Sequence, residues 1–442
     1  TVDLFNEGVD IPEINMIAML RPTESATIFL QQLGRGLRTS RGKNLVTILD
    51  FVGHHNKEFR FDLRFTKLLG RTRKELESDI QSNFPFLPSG CHFELDEISK
   101  DIVLKNIRNA LPNTWKLQVS ELASLLKLKD LSKISLKEYL QETGQTLDDF
   151  YNSGKTWTAL KREVGLIETS KEESRENKIG KSISRFLHLD DADRIQTYSK
   201  ILASDISEHA HQLSLAETRQ AHGLLLGLLP SQGKYAKKYP NLRDALKDIA
   251  QFSDLRSEFV EVLEILQETN ILHVGKPLTN DGEIPLRLHS RYSRDEILAA
   301  YGMSELSRPH PLVAGVLYSR QHKTDMLFIT LKKEEKDFLP IHRYSDYPIN
   351  ESFFHWESQA STTLTSATGQ RYLNHHSEGT KVTLFVRETK KNSHGNTMPY
   401  FALGHANYYK HQKGKERPIQ ITWELQHRLP GRALTSFKEA VA

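Results

Sequence analysis

The run Gln31-Gln-Leu-Gly-Arg-Gly-Leu-Arg38 decides how the first part of this chain is read. On a helix, Gln31, Arg35 and Arg38 stand at i, i+4 and i+7 and form one polar stripe, with Leu30, Leu33 and Leu37 on the other side. The spacing predicts a helix from Thr23, a cap behind Pro22, to about Arg38, closed by the polar turn Thr39 to Lys43. Its leucine face can pack on a sheet and leave the guanidinium groups turned outward. On either side, Ile14 to Leu20 and Leu45 to Val52 read as buried strands. Strand, helix and strand in that order predict a parallel sheet covered by helices.

The same octet carries the pattern QxxGRxxR, and Glu7-Gly-Val-Asp-Ile-Pro12 precedes it. Together they resemble motifs VI and V of superfamily 2 helicases and translocases. The resemblance implies the later part of a RecA-like α/β motor domain over residues 1–70, ATP with Mg2+ as cofactor, and nucleic acid as partner, DNA in preference to RNA. By the same resemblance Arg35 and Arg38 would reach the γ-phosphate as arginine fingers, and Gln31 would couple that site to the nucleic-acid strand. Gly8 would permit close backbone approach, Gly34 belongs to the same nucleotide-binding set, and Asp10 would lie near the nucleotide sugar or a motif arginine. Phosphoryl transfer spreads negative charge over the transferred oxygens, and a positioned guanidinium stabilises that charge. A solvated basic stripe is the bland alternative, and the joint agreement of both motifs with the intervening strand weighs against it.

No GxxxxGK[ST] loop occurs in the chain, so the phosphate-cradling half of the site is expected in a missing N-terminal motor domain. Gly154-Lys-Thr156 imitates the tail of such a loop, but Asp149 stands where its first glycine belongs. Length allows two to four domains at roughly 100–200 residues each. The 442 residues are 38% hydrophobic and 26% charged, which suits a folded chain. With no apolar run of about eighteen residues, a cytoplasmic protein without membrane contact is expected. The lone Cys91 excludes intrachain disulfides and multi-cysteine zinc sites. A net charge of +4 suits a nucleic-acid partner only where basic residues cluster.

Beyond residue 70, residues 71–168 read as a small helical module, 169–181 as a charged linker, 182–305 as a helical domain and 306–442 as a β-rich domain, a small sheet or barrel. The chain is thus α+β overall. Ser135-Leu-Lys-Glu138 and Ser293-Arg-Asp-Glu296 are capping boxes, the second with Gly302 as its stop. Phe252, Leu255, Phe259, Val262, Leu263 and Leu266 recur as one buried helix face. Val382, Leu384 and Val386, and then Ile419, Ile421, Trp423 and Leu425, alternate with other residues as half-buried strands do. Further strands are expected at Leu327 to Leu331, Gln370 to Asn374 and Tyr400 to Tyr409.

The long C-terminal region resembles an uncharacterised domain that follows the helicase core in some bacterial superfamily 2 proteins. The runs that carry the resemblance are Phe84-Pro-Phe-Leu-Pro88, Phe353-Phe-His-Trp-Glu-Ser-Gln359, Gly369-Gln-Arg-Tyr372 and Leu384-Phe-Val-Arg387. Some relatives place a nuclease-like domain ahead of the motor, which makes such a domain a candidate partner and DNA repair or defence a candidate role. Trp356, Arg371, Tyr372, Tyr408, Tyr409 and Lys410 mix aromatic faces with cations and are candidate nucleic-acid contacts, against the alternative of a packed β-core. No metal site is expected, since His375-His376 would diverge on a strand and no HExxH occurs. Three functions follow: the C-terminal part of a helicase or translocase, a non-catalytic DNA-binding or interaction module, and a nuclease using Asp325, Glu334 and Lys336. The present chain alone is not expected to be catalytic.

Overall fold

The computed structural model describes residues 11–20, most of 29–51, then 79–81, 84, 92, 94–109, 115–129, 133–151, 154–203, 212–269, 275–311, 315–333 and 345–441, a few positions within these ranges excepted. The expected strand-helix-strand order is present at its start, but the strands are not buried as their apolar runs suggested: of residues 16–19 and 47–50 only Met19 is buried. β1 (Met16–Met19) and β2 (Thr47–Asp50) pair in parallel, Met16 opposite Thr47 and Met19 opposite Asp50. Between them Phe29, Gln32, Leu33, Gly34 and Gly36 are helical. Met19, Phe29 and Leu33 form one small core, with Ile17 and Ile48 packed against it. Leu33 therefore faces the sheet as its spacing requires. Leu37 does not: it is 67% exposed, because the chain has already left the helix for a turn there.

The chain divides into two compact units, Thr1–Ser153 and Gly154–Ala442. In the first, α1 (Glu97–Asn109), α2 (Trp115–Lys129), α3 (Leu136–Thr143) and α4 (Leu147–Tyr151) are short helices, as expected. Glu138 N donates to Ser135 Oγ at 3.2 Å and Ser135 N to Glu138 Oε2 at 2.9 Å, which completes the capping box. Thr146 and Asp149 repeat the arrangement at α4.

The domain limits differ from the sequence reading. The helical module ends at Ser153 and not at 168, because α5 (Trp157–Glu163) belongs to the second unit. Glu258, about a hundred residues on, accepts hydrogen bonds from Trp157 N and Thr158 N, both at 2.8 Å, and so caps α5. Thr156 caps the same helix through Ala159 N, so the Gly-Lys-Thr run has a structural use. The charged stretch 169–181 is not a linker, since it contains α6 (Glu173–Gly180) with Arg175, Glu176 and Ile179 buried. Its charges are paired inside the fold: Glu176 with Arg162 at 2.8 Å, and Arg175 with Asp248. α7 (Ala192–Ala203), α8 (Leu215–Leu228), α9 (Leu242–Ala250) and α10 (Ser253–Thr269) follow. The apolar face from Phe252 to Leu266 is buried at all six predicted positions.

The remaining elements are β3 (Arg291–Tyr292), α11 (Arg294–Ala300), β4 (Val316–Ser319), β5 (Thr324–Thr330), β6 (Tyr347–Pro348), β7 (Phe353–Glu357), α12 (Ala367–Leu373), β8 (Lys381–Arg387), β9 (Tyr400–Glu416), β10 (Ile419–Leu425) and α13 (Gly431–Val441). The strands form one open sheet, β4-β5-β8-β9-β10-β7-β6, with β3 also on β9. It is a sheet with two edges and not a barrel. β5 and β8 are parallel, and the other pairs antiparallel.

Two cores flank the sheet. One gathers Leu327, Val382, Leu384, Trp423, Tyr372 of α12 and Phe437 of α13. The other covers Met326, Phe328, Phe385 and Ala402 with Leu286, Ile297 and Leu298. β8 is consequently buried on both faces, where one was expected. The second core also erases the boundary expected at 305/306, since residues before it and strands after it share one interior. The strand expected at Gln370 to Asn374 is instead helix α12, whose Ser366 cap accepts from Gly369 N at 3.1 Å.

Candidate functional site

Arg38 is exposed just past the end of the first helix, and Gly34 is exposed with open space where a side chain would begin. Gly8, Asp10, Gln31 and Arg35 lie outside the described residues. Gly36 is packed closely: a Cβ there would stand 2.7 Å from Ile17 Cδ1 and 3.0 Å from Val46 Cγ1. Gly36→Ala is therefore expected to cost about 1–3 kcal/mol by overpacking. A urea titration of the chain checks this, and an unchanged midpoint would contradict the close approach.

Sequence reading missed Lys43, which looked like part of a polar turn. Its Nζ donates to Gly36 O at 2.6 Å, Arg38 O at 2.8 Å and Pro12 O at 3.0 Å. Three ammonium protons thus meet three carbonyls, two of them at a helix C-terminus where free carbonyls favour a cation. Pro12 ends the first motif and Arg38 ends the second, so one side chain ties both together. Lys43→Met should lower the thermal midpoint of the first unit, with a cost of about 1–3 kcal/mol for the carbonyls left unpaired. Differential scanning calorimetry would read it.

At the β-rich end the candidate contacts separate. Trp356 and Tyr372 are corrected to core residues, 4% and 0% exposed, their rings meeting edge-on at 5.4 Å beside Trp423. For Trp356 the physical reason is the two-residue period of β7, which turns Phe354 and Trp356 inward and Phe353 and His355 outward, while Tyr372 is on the face of helix α12 that packs on the sheet core. Arg371 grips Asp325, Nε to Oδ2 at 2.6 Å and Nη2 to Oδ1 at 2.8 Å, over the Tyr318 ring. Both oxygens of this fully buried carboxylate are engaged, which removes Asp325 from the nuclease reading. Glu334 and Lys336 lie outside the described residues.

His375 and His376 sit in the turn after α12, not on a strand, with ring centroids 4.3 Å apart. His375 Nε2 accepts from Tyr408 N at 2.9 Å. Burial, helped by His376, holds this imidazole below its ordinary pKa, which suits an acceptor. Tyr408 is half-buried with its hydroxyl 2.6 Å from His411 Nδ1, while Tyr409 and Lys410 are exposed. Among the described residues no group of three or more His, Cys, Asp or Glu is placed to hold a metal ion. No helix among them is long and apolar enough to cross a membrane.

A buried polar cluster lies around Glu296. Its backbone N donates to Ser293 Oγ at 3.3 Å and its Oε2 accepts from Ser293 N at 2.7 Å, completing the second predicted capping box. The same carboxylate accepts from Arg194 Nη1 and from Tyr198 OH, both at 2.9 Å, and meets His188 Nε2 at 3.0 Å. Burial opposes its charge, but Arg194 and His188 outweigh that and hold the carboxyl well below the usual carboxylate range. Arg194 also lies 4.0 Å over the Tyr292 ring and donates to Arg291 O at 2.8 Å. Residues 188–198 are thereby clasped to 291–296.

The class this architecture defines is an α+β protein with a short parallel strand pair at its start and a helix-flanked sheet toward its end. Residues 286–437 match the family described as "Domain of unknown function (DUF3427)". That span takes in α11, the sheet from β4 to β10 and most of α13. The chain is also similar to "Putative ATP-dependent helicase IRC3" of Saccharomyces cerevisiae, 44% identical over 50 residues, which cover 11% of this chain and 7% of that protein. It is 24% identical over 131 residues to "UvrABC system protein B" of Campylobacter fetus subsp. fetus, covering 28% of this chain and 19% of that protein. The chain therefore spans only a small part of the length of either relative.

Proposed function

We propose that this chain is the C-terminal part of an ATP-dependent superfamily 2 helicase or translocase acting on DNA in the cytoplasm. ATP would bind between the RecA-like segment of the first unit and an N-terminal motor domain. One observation carries the reading: between two strands that pair in parallel, Phe29, Gln32, Leu33, Gly34 and Gly36 are helical, Phe29 and Leu33 pack on the sheet, and Arg38 beyond them is exposed. The similarity to a helicase over 50 residues accords with it.

In this reading Arg35 and Arg38 offer guanidinium N–H groups to the γ-phosphate oxygens, and Gln31 couples that edge to the nucleic-acid strand. Lys43 keeps the two motifs in register. When bound, ATP would supply the phosphoryl group for transfer and Mg2+ would supply charge to offset the negative phosphate oxygens. The exposed Arg38 supports a role on the phosphate side of that pair. The test is nucleic-acid-stimulated ATPase of the full-length protein carrying Arg35→Ala or Arg38→Ala, with ATP binding measured alongside.

A non-catalytic DNA-binding or interaction module is the second reading, and the exposed Tyr409-Lys410 pair favours it for this chain by itself. A nuclease is disfavoured by the closed Asp325–Arg371 pair.

A further inference from the structure

The two cores of the large sheet do not cover it evenly. β5, β8 and the start of β9 have core residues on both faces, whereas at the β10-β7-β6 end the described core residues lie on the face of Phe354, Trp356 and Trp423. The opposite face carries Tyr347 of β6, Phe353 and His355 of β7, and Tyr409 and Lys410 of β9. None of these five belongs to either core. Tyr347 is 39% and Tyr409 53% exposed.

These rings are already ordered in pairs. Tyr347 and His355 stack with centroids 4.7 Å apart and planes 27° apart. Phe353 and Tyr409 meet at 4.9 Å, and Lys410 Nζ stands 5.7 Å from the Tyr409 ring. A register shift between Thr422 and Trp423 makes this possible, since Trp423 is opposite Tyr408 and Thr422 opposite Lys410. Tyr409 is the extra residue of that bulge, so Tyr408 packs on the core while Tyr409 joins the open face. The two pairs follow one another by a two-residue step along β7, roughly 6.8 Å.

An exposed aromatic sheet face can serve a protein partner or a nucleic acid, and charge separates the two. The β9–β10 hairpin reads Lys410-His-Gln-Lys-Gly-Lys-Glu-Arg417, four cations to one carboxylate, and it continues directly from Tyr409. Among the described residues two carboxylates share this face, one at its edge and one beside Phe353. Glu357 is tied by Gln420 at 2.6 Å, and Glu424 is exposed opposite Phe353. Rings for bases beside cations for phosphates are what a single strand requires, and a duplex hides its base faces.

We infer that the open face of β6, β7 and β9, built from Tyr347, His355, Phe353, Tyr409 and Lys410, is a stacking platform for single-stranded nucleic acid. Recognition is by base faces and backbone charge, with little dependence on sequence. It rests on the binding-module reading and is independent of the motor.

The probe is a fluorescein-labelled oligothymidylate, titrated with the chain in the absence of nucleotide and followed by anisotropy. Tyr347→Ala and Tyr409→Ala should each weaken binding about 5- to 150-fold, while Tyr409→Phe, which keeps the ring, should bind like the parent. Lys410→Gln should reduce the slope of log affinity against log salt by about 0.7. The parent should prefer the single strand to a duplex of equal length. Circular dichroism melts confirm that these surface variants fold. Binding that ignores both alanine changes overturns the platform and leaves the binding module standing, and no binding by the parent overturns both. A dimer by light scattering that Tyr409→Ala dissolves would overturn the platform and assign this face to a second copy of the chain.

Discussion

Arg194→Ala is expected to destabilise the second unit by about 3–5 kcal/mol, a large share of the roughly 5–15 kcal/mol that holds a domain together. The arginine is 1% exposed and its carboxylate partner Glu296 4%, so solvent cannot take over the lost contact. Removing the guanidinium leaves a buried carboxylate with His188, Tyr198 and Ser293 but without its full counter-charge, and also strips the cation from the Tyr292 ring. A urea titration followed by circular dichroism measures the effect. A loss below about 1 kcal/mol would make the clasp incidental.

The pH dependence carries the same signature. In the parent the Glu296 carboxyl is depressed in the folded state. Its contribution is therefore present above the unfolded carboxyl value, about 4.3, and is lost as pH falls toward the folded value. Without Arg194, burial dominates and raises the carboxyl, so the variant loses stability as pH climbs past about 4.3. The gap between parent and Arg194→Ala is expected to widen between about pH 4.5 and 7. A constant gap would mean that Glu296 does not report the loss.

In the full-length protein, Arg38→Ala or Arg35→Ala should lower nucleic-acid-stimulated ATP turnover by about 10³-fold or more, with ATP binding retained. The size follows from where the charge develops. A guanidinium that meets the γ-phosphate oxygens chiefly during transfer stabilises the transition state far more than the bound ground state. Turnover falling together with binding would identify a ground-state contact. Unchanged turnover would remove the motor reading and leave the single-strand platform intact, because that binding needs no nucleotide.

Local rules were legible in the sequence because their causes are local. The capping boxes at Ser135 and Ser293 need only residues three apart, and the apolar face from Phe252 to Leu266 needs only helical spacing. The parallel strands around the first helix followed from apolar runs of the right length. Errors arose wherever a residue answers to something distant. Residues 169–181 looked like a solvated linker because their charges are many, yet Arg175 and Glu176 are buried against Asp248 and Arg162. Trp356 and Tyr372 were read as surface rings because aromatic and basic residues stand side by side in the chain. In the strand that holds Trp356, neighbours in sequence face opposite ways, so Phe353 and His355 are the outward residues, and Tyr372 is buried because its segment is a helix packed on the core.

The sequence alone determined the strand-helix-strand order at the start, the α+β character and the capping boxes at Ser135 and Ser293, all of which depend on spacing within one segment. Tertiary structure alone decided that Lys43 joins the ends of both motifs, that Glu296 gathers Arg194, Tyr198 and His188, and that one end of the sheet stays open. These depend on contacts across many residues, and a periodic pattern carries no record of which distant groups it will meet. A buried charge or an uncovered strand face is defined only by what packs against it.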